Sequence, residues 1–255
     1  MEQLVNEVYA FYLDRLLGLN MVPPATILEY SGRRWRNVRD RDILQQHWKR
    51  GDPMVCSEYL DDLEPAKLPK VFTKQSYQLN VLDAEKKNWS ASDKMWAERW
   101  GAVILFDFMM GNPERLGYSL DQSADGFREK SKRKTHSISL QKCAKDDCAV
   151  NSALVTESGQ LVLVDNNAGF FYDRTPFQSS DVILSDMCIF PRDLVERLKQ
   201  QDGHTLRRQL NLLVHKYEPE GPVQNTLRTR VFGQRYEVMM KHITQCQQKY
   251  GRVSF

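Results

Sequence analysis

Apolar residues at Leu4, Val8, Phe11, Tyr12 and Leu16 recur at helical spacing, and Gly18 supplies a stop. Pro23 and Pro24 then force an extended segment. Ala25 to Tyr30 and Trp35 to Val38 read as short strands around a turn at Ser31-Gly32, and Met54 to Ser57 is a further short apolar run. The strongest pattern lies in the middle. Ser90 or Ser92 can cap a helix with Asp93 in its first turn, and Met95, Trp96, Trp100, Val103 and Ile104 form a broad apolar face. That helix runs through Phe106 to Met110 and halts at Gly111-Asn112-Pro113. A long polar stretch, Asp121 to Asp147, reads as a mobile loop. Leu154–Thr156 and Leu161–Val164 flank Glu157-Ser158-Gly159 as a β-hairpin. Asp193 to Gln200, Leu206 to Tyr217 and Phe232 to Tyr250 each repeat apolar residues every three or four positions. No internal repeat is visible. The pattern predicts an α+β domain, mostly helical, with small β-hairpins.

Composition narrows the class. At 255 residues, 41% hydrophobic and 27% charged, the chain can bury a sizeable core. No apolar run approaches the ~18–20 residues that cross a bilayer. The first residues offer neither a basic n-region nor an apolar h-region, so the chain is either cytosolic or a secretory protein whose N-terminus is missing. The 36 basic residues nearly balance 33 acidic ones, which argues against nucleic acid as a partner. The dense run Lys130-Ser131-Lys132-Arg133-Lys134 reads as a solvated loop. Cys143 and Cys148 enclose four residues; a disulfide, free thiols and a zinc half-site all remain open. Asn88-Trp89-Ser90 is a glycosylation acceptor sequence.

One constellation carries chemistry. The long helix ends at Asn112-Pro113-Glu114-Arg115-Leu116, and the later hairpin delivers Asp165 into a turn with Asn166, Asn167 and Gly169. In kinase-like folds a carboxylate after a helix accepts the substrate hydroxyl's proton, and a second, after a hairpin, holds a metal on the nucleotide phosphates. Gly169 lets the backbone turn sharply there. The bland alternative is that Glu114 and Asp165 merely cap turns. Glu7 lies on the first helix between Leu4 and Phe11; it is either an ordinary amphipathic-helix glutamate or the partner of a nucleotide-binding lysine.

These segments resemble the four-jointed family of atypical secretory-pathway protein kinases. Glu2-Gln3 through Glu7, Tyr12-Leu13, Arg15 to Leu19 and Val22-Pro23-Pro24 are similar to its αC helix and exit. Leu105-Phe106-Asp107-Phe108 with Asn112, Arg115 and Leu116 is similar to its catalytic-loop region, and Leu163 to Gly169 to its metal-binding segment. Cys188-Ile189-Phe190 and the tail (His242-Ile243, Cys246, Lys249 to Arg252) resemble its C-terminal region.

The resemblance implies a protein-kinase-like C-lobe over residues 61–255, preceded by an N-lobe remnant, the αC helix and small strands, over residues 1–60. It implies a Golgi-lumen, partly secreted Ser/Thr kinase that uses ATP with Mg2+ or Mn2+. Its partners would be extracellular cadherin repeats of Fat and Dachsous type, in planar polarity and growth signalling. Site roles follow by position: Glu114 and Arg115 catalytic; Glu7, Asn112 and Ser119 toward the nucleotide; Asp165 and Asn166 on the metal; Asn88 glycosylated. An oxidising compartment implies disulfides Cys188–Cys246 and Cys143–Cys148, leaving Cys56 over.

Three departures shape the expectation. The chain starts at the αC helix, without a glycine-rich loop, a lysine strand or the family's type II membrane anchor, so a fragment is expected. Glu114 stands where the family has its catalytic aspartate. The pKa is similar, but the extra methylene displaces the base, and a shift of ~1 Å can cost about a hundredfold. Ser119 stands where many kinases carry a metal-binding asparagine. Weak activity is expected, with a lumenal pseudokinase scaffold as the second reading. A cytosolic helical interaction module, with reduced cysteines and an unmodified Asn88, is the third.

Overall fold

The computed structural model of the chain describes residues 2–29, 51–74, 78–112, 115–116, 149–170, 183–218 and 229–255. The expected strand Trp35–Val38, the polar stretch Asp121–Asp147, Glu114, Ser119, Cys143 and Cys148 lie outside the described residues.

Helix α1 (Glu2–Leu17) buries Val5, Val8, Tyr9, Ala10, Leu13 and Leu17 along one side. It closes on Gly18, whose φ of 68° is the left-handed conformation that ends helices. Strand β1 (Ala25–Glu29) pairs antiparallel with β2 (Pro53–Ser57), Ala25 opposite Ser57 and Ile27 opposite Val55. A second sheet orders β3 (Glu64–Lys67), β4 (Ala149–Val155) and β5 (Leu161–Leu163), all antiparallel, with an irregularity between Pro65 and Lys67. A 3-10 turn, Lys70–Lys74, follows β3. The expected hairpin is β4–β5, and its first strand begins five residues before Leu154. Strand β6 (Leu79–Asn80) and strand β7 (Met187–Cys188) pair in parallel.

Asn80 caps the short helix α2 (Val81–Lys86) with its side chain. Helix α3 (Ala91–Met110) follows. Of the two serines able to cap it, Ser90 does so, in a reciprocal capping box with Asp93. Every residue from Trp100 to Met110 is buried, as an apolar-all-round helix must be. The remaining helices are α4 (Arg192–Lys199), α5 (Gly203–Tyr217) and α6 (Thr229–Tyr250). α6 packs on α3, α4 and α5, and α1 packs on α5, α4 and the β1–β2 pair. The fold is therefore α+β and mostly helical. Among the described residues no helix is long and apolar enough to cross a membrane.

Gly101 shows how tightly α3 is held. A Cβ there would lie 2.0 Å from the Ile189 carbonyl oxygen. Alanine is the better helix former by roughly 1 kcal/mol, yet the contact is with backbone that cannot swing away. Gly101→Ala is expected to destabilise the chain by about 1–3 kcal/mol, read as a lowered urea midpoint.

Cys188 and Cys246 are joined by a disulfide, with Cα atoms 5.5 Å apart, and it ties β7 to α6. This is the pairing that the resemblance implies. Cys56, on β2, is free and half-buried.

Candidate active site

The turn after β5 carries the site, and three parts of the chain fix it in place. Val164 donates its backbone N–H to Ser152 O at 3.0 Å, and Phe170 donates to Met110 O, the C-terminal residue of α3, at 2.7 Å. Asn6 of α1 donates its amide to Asn167 O at 2.8 Å. Glu7, one residue further along α1, takes both the backbone N–H of Asn166 and its Nδ2, the latter at 2.8 Å. A Cβ on Gly169 would fall 2.4 Å from the terminal methyl of Met110 and 3.3 Å from its Cβ, so the turn packs directly on the end of α3.

Arg115 is the hub beneath the turn. It is 1% exposed. Its Nε lies 3.1 and 3.0 Å from the two carboxylate oxygens of Asp107, on α3. Its Nη1 reaches the Ser152 carbonyl and, at 3.1 Å, that of Val164; its Nη2 reaches Asn166 Oδ1. One guanidinium thus joins the end of α3, strand β4 and the turn, using the planar fork that lysine lacks. Burial pushes the Asp107 carboxyl upward, and the Arg115 charge opposes it. Burial likewise pushes the Glu7 carboxyl above its usual range, against the two hydrogen bonds from Asn166 and the charge of Arg115, with Asp165 adding to the rise.

Asp165 differs from everything around it. It is exposed, while Asn166 beside it is fully buried. Its φ of 53° is left-handed, a conformation that aspartate and asparagine tolerate. The network therefore bends the backbone so that Asn166 points inward and the Asp165 carboxylate is left to solvent.

Several expected site residues are placed by this geometry. Glu7 and Asn166 meet each other, and Asp165 and Arg115 join the same cluster. Asn112, 4% exposed, sits just past α3 with its N–H on Asp107 O at 2.9 Å. Arg115, expected to be catalytic, spends its donors on protein acceptors, and the Asn166 side chain is likewise occupied by Glu7 and Arg115.

Three buried polar groups, one beneath the site and two in the frame around it, carry little sequence signal. Asp107 holds Arg115 from below, and its signal is an aspartate set between Phe106 and Phe108 in a buried helix. Asp14, fully buried, accepts from the Met21 N–H at 2.9 Å and pairs with Arg15. Glu218, at the end of α5, is 3% exposed and accepts from Tyr12 Oη at 2.9 Å, Thr26 Oγ1 at 3.0 Å and Ile27 N at 2.8 Å. It fastens α1 and β1 to α5.

Asp14 yields a pH prediction. Burial raises its pKa to about 6, against lowering by the Met21 N–H and Arg15. A carboxyl with a raised folded-state pKa contributes stability that is complete below about pH 4 and is lost as pH rises through about 6. Asp14→Asn is expected to flatten the dependence of the urea midpoint on pH between 4 and 6.5, by on the order of 2 kcal/mol across the window.

The buried helix, the arginine-anchored turn and the hairpin with its outward aspartate belong to a protein-kinase-like fold. Solved structures share it. Hydra Fam20, determined with sugar, superposes with a TM-score of 0.57 at 14% identity, over 98% of this chain and 73% of that one. The Golgi casein kinase with Mn/ADP bound gives a TM-score of 0.57 at 13% identity, over 96% and 62%.

The family follows from sequence. The four-jointed box protein middle domain matches residues 1–249, and the chain belongs to that family. Human Four-jointed box protein 1 is 27% identical over 268 residues, 99% of this chain and 57% of the relative. The Drosophila melanogaster extracellular serine/threonine protein kinase four-jointed is 20% identical over 311 residues, 96% and 49%. The chain spans about half the length of the curated relatives it matches.

Proposed function

We propose that this chain is the catalytic-lobe portion of a secretory-pathway Ser/Thr protein kinase, with residues 1–60 as the N-lobe part and 61–255 as the C-lobe. The observation that carries the reading is the outward Asp165 carboxylate on a turn clamped by Glu7, Asn166 and Arg115. A free carboxylate on rigid backbone suits a hard cation such as Mg2+ or Mn2+. Asp165 would hold that ion. When bound with ATP, the ion neutralises charge on the phosphate oxygens. Glu7 and Asn166 keep the turn in position, and Arg115 holds it against α3. Glu114, next to Arg115 in sequence, would accept the proton of the substrate hydroxyl, with Asn112 and Ser119 on the nucleotide side.

A Drosophila relative that is an extracellular serine/threonine kinase and a Golgi neighbour with Mn/ADP support this class. The finer proposal is a Golgi-lumen or secreted enzyme, glycosylated at Asn88, acting on cadherin repeats of Fat and Dachsous type. Asn88 is exposed at the turn before α3, as an acceptor must be. A pseudokinase scaffold is the second reading, favoured by Glu114 in place of aspartate and by Ser119.

The test is expression in a secretory host from the gene, with whatever coding sequence stands upstream of Met1. Phosphate transfer to a Ser or Thr of a cadherin repeat supports the kinase. Silence that Glu114→Asp relieves makes the native protein a pseudokinase. Silence in both, without Mn2+ or Mg2+ binding, overturns the assignment.

A further inference from the structure

Away from the cleft, β7 and α6 bring two sulfurs and an imidazole together. Cys188 Sγ, Cys246 Sγ and a ring nitrogen of His242 all lie within 4.8 Å of one another. His242 and Cys246 are four residues apart on α6, so they share one face of the helix. His242 Nε2 is 3.3 Å from Cys246 Sγ and 2.8 Å from the Met187 carbonyl oxygen, and that oxygen is 3.8 Å from Cys246 Sγ. Both cysteines are buried, and the Phe190 ring meets the imidazole edge-on at 6.2 Å.

As a purely structural residue, His242 needs only the bond to Met187 O. The disulfide in turn needs no imidazole beside it, yet His242 Nε2 lies 3.3 Å from Cys246 Sγ. We propose that, once its disulfide is reduced, the Cys188–His242–Cys246 cluster is a binding site for a soft divalent metal of the zinc class. Two thiolates and an imidazole are the donor set that zinc favours, with the Met187 carbonyl or water at the fourth position. Ligation through Nε2 moves the ring proton to Nδ1 and releases the Met187 carbonyl from its hydrogen bond.

The chemistry balances. A thiol or phosphine reductant delivers two electrons, and with two protons the S–S bond becomes two thiols. Zinc binds both sulfurs as thiolates and displaces two protons. A small-molecule disulfide, taking up the two electrons and leaving as two thiols, remakes the S–S bond and expels the ion. Disulfide and metal thus do the same mechanical work, fastening β7 to α6, in oxidising and reducing surroundings respectively. The proposal is independent of phosphotransfer.

The experiment uses the chain with Cys56, Cys143 and Cys148 changed to serine, so that only this cluster can supply thiolates. Reduced protein, freed of reductant, is titrated with zinc alone and separately with cobalt. The expected result is one metal per chain, a sulfur-to-cobalt charge-transfer band, and a thermal midpoint raised by zinc. Oxidised protein should lack the charge-transfer band. His242→Ala should weaken zinc binding by at least the about ten- to hundredfold that even an outer-shell partner costs, yet still form the disulfide when oxidised, by thiol count. His242→Gln serves if alanine does not fold. Equal metal uptake with and without His242, or no uptake by the reduced chain, overturns the proposal.

Discussion

Arg115→Met is expected to cost about 3–5 kcal/mol, a large share of the roughly 5–15 kcal/mol that holds an ordinary domain folded. The size comes from what is left behind rather than from what is lost. Asp107 is 4% exposed and Arg115 1%. Without the guanidinium, the Asp107 carboxylate is an uncompensated charge in the core, and the carbonyls of Ser152 and Val164 each lose a donor. Urea unfolding of the single and double variants separates these contributions. Asp107→Leu with Arg115→Met removes both charges and should be less destabilised than Arg115→Met alone. It should not return to wild type, because the two carbonyls and Asn166 Oδ1 remain without their donor. A single variant within about 0.5 kcal/mol of wild type, the range of an ordinary surface change, would remove Arg115 from the centre of this account.

The parts of the fold that the sequence reveals are those decided locally. The α3 cap, the stop at Gly111 and the β4–β5 hairpin each follow from residues within a few positions of one another. Gly111, at φ 70°, is left-handed as a helix stop requires, and its hydrogen face also admits the Arg235 guanidinium, which bonds Met110 O at 2.7 Å. Nothing near Gly111 in sequence announces a partner 124 positions away. The same holds for β6 and β7, two residues each and joined in parallel across more than a hundred residues; strands so short leave no periodic signal. Within the site, position and motif single out Glu7, Asp165 and Asn166. They do not reveal that Glu7 bonds Asn166 or that Arg115 is a brace, because both depend on how α1 and α3 meet the turn. Glu218 is the plainest case of a silent residue. It follows Tyr217 at a helix end, where a glutamate normally faces water, and only the arrival of Tyr12, Thr26 and Ile27 makes it a buried clasp.

Asp165→Asn should separate holding the turn from using it. Because the side chain is exposed and asparagine also accepts a φ near 53°, the unfolding midpoint should move by no more than about 0.5 kcal/mol. If the proposed function holds, the amide keeps an oxygen but loses the charge that favours a divalent cation, so Mn2+ binding should weaken sharply, and phosphate transfer should fall by about a hundred- to a thousandfold, the size of effect when a single preorganised electrostatic group is removed from a reacting centre. Glu7→Ala is the informative contrast. It takes the Glu7 carboxylate from the Asn166 backbone N–H and Nδ2, leaving Nδ2 the Leu163 carbonyl at 3.2 Å, and lets the turn relax, so it should lower stability and metal binding together. The two variants, read by urea unfolding and by Mn2+ titration, distinguish a ligand from the frame that holds it. If Asp165→Asn binds Mn2+ as the native chain does, the outward carboxylate is not the metal's anchor, and the phosphotransfer reading loses the one group that sets this turn apart from an ordinary structural bend.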